Sequence, residues 1–189
     1  SCFSFFPSKN VAVGGEGGMI TTAHSEIGAR IKSIVDHGRD GSLQSQEVGT
    51  NMRMSEVFAA IGRKQLAELD SWLELRRTNA LRLTQTLANH PILHAPLIRP
   101  NSKHAWHQYC IQTDTAERFI DHMEKHDIAA RLIYPTPCHQ HPVYSGHHQH
   151  STKFPVTERL SKQLVSIPVH HGLAEDEMIR IIEALQQYT

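Results

Sequence analysis

The sequence predicts a mixed α/β fold, an α+β arrangement in which short strands and amphipathic helices share a core, and three observations carry that prediction. Short apolar runs bounded by glycine or polar residues, such as Met19-Ile20-Thr21-Thr22 and Leu164 to Ile167, have the length of strands. Between them, apolar residues recur every three to four positions, as at Ile27, Ile31, Ile34 and Val35 or at Met178, Ile181, Ile182 and Leu185, which is the period of a helix with one buried face. The chain's 189 residues suffice for one domain, or two small ones, with a real core.

Taken in order, residues 10–22 are short and β-like, with Gly17-Gly18 turning into a strand over Met19 to Thr22. The spacing predicts a helix over Glu26 to His37, stopped by Gly38, and then a polar, glycine-punctuated loop over residues 39–50. Loops of that length are often functional, and this one leads into Asn51-Met52-Arg53-Met54. Ser55 offers an N-cap for a long helix with a broad apolar face from Ala59 and Leu66 through Ala80 and Leu83 to Leu87. Its capping box is incomplete, because Phe58 stands where Glu or Gln would reach back. Asp70-Ser71 marks a bend or a second start, and the domain boundary is placed there, giving domains over 1–70 and 71–189. Pro91, Pro96 and Pro100 close the helix and carry an extended connection.

The second domain reads as a compact mixed unit. It holds a strand over His107 to Thr113, a helix over Ala116 to His126, and a strand over Ile128 to Tyr134. A long proline- and histidine-rich loop follows over Pro135 to Phe154, then a short helix over Arg159 to Gln163, a buried strand over Leu164 to Ile167, and a final amphipathic helix over Glu175 to Tyr188.

Nineteen basic residues balance nineteen acidic ones, so no net field draws the chain to nucleic acid or to an anionic membrane, and any phosphate recognition is local. No apolar run has the length of a membrane span, and the opening residues lack the pattern of a signal peptide; the expectation is a cytoplasmic protein. Cys2, Cys110 and Cys138 are odd in number and far apart, which suits reduced thiols. Histidine is the outlier, with fifteen copies, several packed into residues 139–150. Such a cluster can bind zinc or nickel, but neither a cysteine pair nor a His-Glu-x-x-His helix accompanies it, and the expectation is no native metal.

The chemistry centres on Ser4-Phe5-Phe6-Pro7-Ser8-Lys9-Asn10 and the glycines that follow, Gly14-Gly15-Glu16-Gly17-Gly18. A lysine amine attacks a carbonyl only when neutral, and a low-dielectric setting supplies that form. Lys9 therefore suits covalent attachment of an aldehyde cofactor such as pyridoxal phosphate, with Ser4 binding the phosphate; the alternative is a solvated surface lysine.

Several short motifs in order then resemble the nucleotide-sugar aminotransferases of the DegT/DnrJ/StrS group: Phe3 to Asn10, Glu16-Gly17-Gly18, His37-Gly38-Arg39, Gly49 to Met54, Ala59-Ala60 with Gln65-Leu66, and Tyr134 to His139. The resemblance covers the whole chain and implies the C-terminal half of an aspartate-aminotransferase-like fold: the end of the large cofactor-binding domain over 1–70 and the small domain over 71–189. It implies pyridoxal 5′-phosphate held on Lys9, with that lysine later acting as general acid and base. Ser4 matches a hydroxyl that binds the cofactor phosphate. Asn51 matches an asparagine that reaches the phosphate of the neighbouring subunit, which implies a homodimer with shared active sites; its alternative is a plain turn residue.

His37, Arg39, Tyr134 and His139 fall where the family lines its sugar-nucleotide pocket. Their alternatives are, for Arg39, a solvated loop charge; for Tyr134, the end of a core strand; for His139, membership of the histidine-rich loop; and Arg53 reads equally as an ion-pair partner. Lysine rather than histidine at position 9 separates transaminases from the family's dehydratases. The implied reaction is transfer of an amino group, from glutamate, to a keto-sugar nucleotide, in amino-sugar and polysaccharide biosynthesis. A complete member carries roughly as many residues again before Ser1, among them the acid that pairs with the cofactor ring nitrogen, so the 189 residues alone are expected to be inactive. The rival from the residues themselves is a non-enzymatic, histidine-rich metal-binding or interaction module.

Overall fold

The computed structural model describes residues 1–147 and 151–189. The chain divides into two compact units, Ser1–Asp70 and Ser71–Thr189.

In the first unit, β1 (Cys2–Ser4) pairs antiparallel with β2 (Gly18–Ile20), Phe3 opposite Met19. Backbone bonds lengthen the ribbon at both ends, from Thr21 N to Ser1 O at 2.9 Å and from Phe5 N to Gly17 O at 2.9 Å. The segment between the strands folds inward, burying Val11 and Val13. It can do so because the glycines leave room: a Cβ on Gly15 would lie 2.8 Å from Phe58 Cζ, and one on Gly17 would lie 2.7 Å from Val13 Cγ2. Helix α1 (Ser25–Val35) follows the predicted period but ends two residues before the expected His37, and Gly38 N closes the turn on Ser33 O at 2.8 Å.

Helix α2 (Glu56–Thr86) begins where Ser55 predicts, its hydroxyl accepting from Phe58 N at 3.3 Å. The expected bend at Asp70-Ser71 is absent, and α2 runs unbroken through both residues. Both residues are exposed on the helix surface, and neither ends the helix. The apolar face is also narrower than the composition suggests: Ala80, Leu83 and Leu87 are buried, whereas Leu66 and Leu81 are more than half exposed.

The second unit is built on a three-stranded antiparallel sheet in the order β3 (Tyr109–Gln112), β5 (Leu164–Ile167), β4 (Arg131–Leu132). The register sets Tyr109 opposite Ile167 and Ile111 opposite Val165, so all four buried side chains share one face. That face packs into a single core with Leu83 of α2, Phe119 and Met123 of α3 (Ala116–Lys125), and Met178, Ile181 and Leu185 of α5 (Glu175–Gln187). His94 bridges to Gln112 and extends the sheet past β3.

Three predictions for this unit need correction. The strand expected over Ile128 to Tyr134 shrinks to two residues, because Ile128 N closes the end of α3 on Met123 O at 3.0 Å and Tyr134, at φ +50°, leaves the extended region. The short helix lies earlier than expected, as α4 (Pro155–Leu160), since Pro155 sits in its first turn with φ preset. The loop over residues 135–154 contains two single turns of 3-10 helix, Cys138–Gln140 and Pro142–Tyr144. His148 and His150 of the histidine cluster lie outside the described residues. Among the described residues no helix is long and apolar enough to cross a membrane, and the three cysteines are free thiols.

Candidate active site

Lys9 closes a tight turn. Pro7 presets the backbone angle, and Lys9 N bonds Phe6 O at 2.8 Å. Three residues on, Ala12 N donates to Gln65 Oε1 at 2.8 Å, which ties the segment to the first turns of α2. Lys9 is half-buried and forms no ion pair with a carboxylate among the described residues. Ser4 ends β1 with its Oγ accepting from Phe6 N at 3.4 Å, which leaves the hydroxyl proton for another acceptor.

A second group gathers where α1 ends. Asn51 returns antiparallel to Asp36, supported by Met52 N to Val35 O at 3.0 Å, Thr50 N to Ile34 O at 2.9 Å and His37 N to Thr50 O at 3.2 Å. His37 adopts φ +60° and Gly38 φ +74°, a left-handed pair that reverses the chain there. Asp36 takes the Arg53 guanidinium at 2.8 Å and that of Arg39 at 3.7 Å. Arg53 also donates through Nε to Asn51 Oδ1 at 3.2 Å. The ion-pair reading of Arg53 is therefore the observed one. The structure brings His37, Arg39 and Asn51 together around an aspartate that the sequence reading did not single out; its place directly before His37-Gly38-Arg39 was the available signal.

Tyr134 and His139 belong to the second unit, and no described hydrogen bond joins them. Tyr134 is 80% exposed. His139 is nearly buried, with Nε2 at 3.2 Å from Glu158 Oε1 and its ring edge-on to Phe154 at 4.7 Å. Cys138, His139, Tyr144, His147, Phe154 and Thr157 line a hollow of 490 Å³. The Phe154 N–H, 2.8 Å from Glu158 Oε1, holds that carboxyl below its usual range, and the hydrogen bond from His139 acts in the same direction. Glu158 was missed by sequence reasoning, because the helix that carries it was placed too late in the chain.

The donor set at the first group fits an aldehyde that bears a phosphate. It offers an amine in no ion pair among the described residues and a hydroxyl with a proton to give, while in the second group Asn51 offers an amide whose oxygen is already engaged, so that its NH₂ is the free end. Among the described residues no group of three metal-ligating side chains occurs.

The chain matches the DegT/DnrJ/EryC1/StrS aminotransferase family over residues 1–186. It is 29% identical over 188 residues to a dTDP-3-amino-3,4,6-trideoxy-alpha-D-glucose transaminase of Streptomyces venezuelae, covering 100% of this chain and 50% of that protein. It is 31% identical over 186 residues to a dTDP-3-amino-3,6-dideoxy-alpha-D-galactopyranose transaminase of Aneurinibacillus thermoaerophilus, covering 98% and 50%. Among solved structures, S. venezuelae DesV in complex with a ketimine intermediate superposes with a TM-score of 0.94 at 30% identity, over 98% of this chain and 50% of that one. An aminotransferase from Brucella abortus superposes with 0.90 at 25% identity, over 98% and 49%. The chain thus spans about half the length of the relatives it matches, and the matched part is their C-terminal half.

Proposed function

Because the chain belongs to the DegT/DnrJ/EryC1/StrS aminotransferase family, we propose that the full-length protein transfers an amino group from glutamate to a keto-sugar carried on a nucleotide, with pyridoxal 5′-phosphate as cofactor. The observation that carries this reading within the chain is Lys9: half-buried, on a turn fixed at both sides, and in no ion pair among the described residues. The names of the relatives, transaminases of nucleotide-linked amino sugars, support the substrate class.

In this proposal Lys9 Nζ holds the cofactor aldehyde, and the Ser4 hydroxyl and the Asn51 amide NH₂ hold its phosphate, Asn51 across a homodimer with shared sites. When bound, the cofactor supplies a ring that accepts electrons from the reacting carbon. Once released, Lys9 Nζ takes a proton from the carbon of the donor amine, and in the second half-reaction gives one to the sugar carbon. Arg39 presents a planar fork to the nucleotide diphosphate, while His37, Tyr134 and His139 bond sugar hydroxyls. A cytoplasmic location goes with this reading.

Nothing in the family match favours a histidine-rich binding module. The acid that pairs with the ring nitrogen has no counterpart among the matched motifs, so the 189 residues by themselves are expected not to turn over substrate. Amination of a keto-sugar nucleotide by the isolated chain would contradict that expectation. The reaction itself is tested by Lys9→Ala in the full-length gene product, with a fall in amination of at least about a thousandfold expected. Activity retained within tenfold would sink the assignment of Lys9.

A further inference from the structure

We propose that Asp36 is the positioning residue of the phosphate site: through Arg53 it fixes the Asn51 amide with its NH₂ end free for the cofactor phosphate. The inference rests on the reading of Asn51 given above and goes beyond it by naming what orients that side chain. An asparagine amide has two ends of opposite character, and only the NH₂ end can donate to a phosphate. What decides which end is presented is the partner of the other.

Here the partner is Arg53. Its Nε lies 3.2 Å from Asn51 Oδ1, and its backbone N lies 3.4 Å from the same oxygen. A guanidinium has donors alone, so turning the amide over would set donor against donor, and the observed orientation is the one Arg53 permits. Arg53 is in turn held by Asp36 as an ion pair without hydrogen-bond geometry, the buried Oδ1 lying 2.8 Å from its Nη1. The backbone bridge between Asp36 and Asn51, with Met52 N on Val35 O at 3.0 Å, brings the three side chains together independently of their charges.

Stability gives no competing reason for the arrangement. The side chains of Asp36 and Arg53 are 37% and 54% exposed, and an ion pair so open to solvent adds little to folding. Asp36 also faces Arg39 at 3.7 Å, so the same carboxylate stands between the phosphate side of the proposed site and its nucleotide side.

The test uses the full-length gene product freed of cofactor, titrated by absorbance with pyridoxal 5′-phosphate and, separately, with pyridoxal, which lacks the phosphate. Asp36→Asn is expected to weaken binding of pyridoxal 5′-phosphate about tenfold while binding of pyridoxal stays unchanged. Arg53→Lys, which keeps the charge but loses the fork, should do the same, so the result does not hang on the folding of one variant. Combined with Asn51→Ala, Asp36→Asn should add nothing further. Equal weakening of both ligands by Asp36→Asn and by Arg53→Lys would mark a merely structural role and overturn the proposal, as would no change in either. Phosphate selectivity lost in Asn51→Ala but kept in Asp36→Asn overturns the role of Asp36 and leaves that of Asn51 standing. Selectivity kept in Asn51→Ala overturns both.

Discussion

At Gly49, a single absent Cβ decides whether the corner that holds Asn51 can close. A Cβ there would lie 2.2 Å from Gly38 N and 2.6 Å from Ile34 O, both backbone atoms that cannot swing aside. Gly49→Ala is therefore expected to destabilise the protein by about 3 kcal/mol or more in chemical denaturation. Gly41→Ala, which meets no atom and bears only the strain of φ +104°, should cost about 1–2 kcal/mol. His171 makes a second residue-scale prediction. Its ring stacks on Trp72 at 4.3 Å, and burial, reinforced by the positive charge of Arg76, lowers its pKa below the ordinary value. Because the unfolded chain then binds the proton more tightly, stability is full above about pH 6.5 and falls as the pH drops through that value toward the folded pKa. The denaturant midpoint should accordingly fall between pH 7.5 and pH 5.5, and fall less in His171→Phe, which keeps the stack; an equal fall in both would remove His171 from the account. Lys9 and Asn51 could be proposed from the sequence because short motifs carry them. Asp36 and Glu158 were not legible, because a carboxylate's role is set by the cation that faces it across a fold, and no local spacing records that.

At the scale of elements, end chemistry governed what could be read. Ser55 caps α2 as its sequence position suggests, and Ser55→Ala should cost about 1 kcal/mol. The last helix shows the converse. Ala174 occupies its N-cap without a hydroxyl, and only the reciprocal half of a capping box is present, with Ala174 N donating to Glu177 Oε2 at 2.8 Å. Ala174→Ser is expected to raise stability by about 0.5–1 kcal/mol in thermal or denaturant unfolding. Strand β5 was legible to the residue because Leu164, Val165 and Ile167 form a short run bounded by Gln163 and Pro168, which leaves little choice. Strand β4 was not, because the apolar residues around it serve two elements: Ile128 finishes α3, while Ile133 bonds Leu164 O. Helix α4 was displaced in the reading for want of a capping side chain at Phe154, and the unbroken course of α2 through Asp70-Ser71 shows a long helix overriding two weak local breakers.

At the scale of the whole molecule, the second unit has the means to hold its own core. Tyr109, Ile111 and Val165 from the sheet and Leu83, Phe119, Met178 and Leu185 from the helices are almost fully buried, and truncating one of them, as in Phe119→Ala, should cost about 3–5 kcal/mol. The first unit buries much less, with Val11 and Val13 as its buried apolar residues, yet it carries Lys9, Ser4, Asn51, His37 and Arg39. The proposed chemistry thus lies mostly in the less buried of the two units, in a chain that matches half the length of its relatives. The most direct test of the central claim is borohydride reduction of the full-length gene product in the presence of pyridoxal 5′-phosphate, followed by peptide mapping. The account predicts one phosphopyridoxyl group per chain, on Lys9; a group on another lysine, or none, would contradict it.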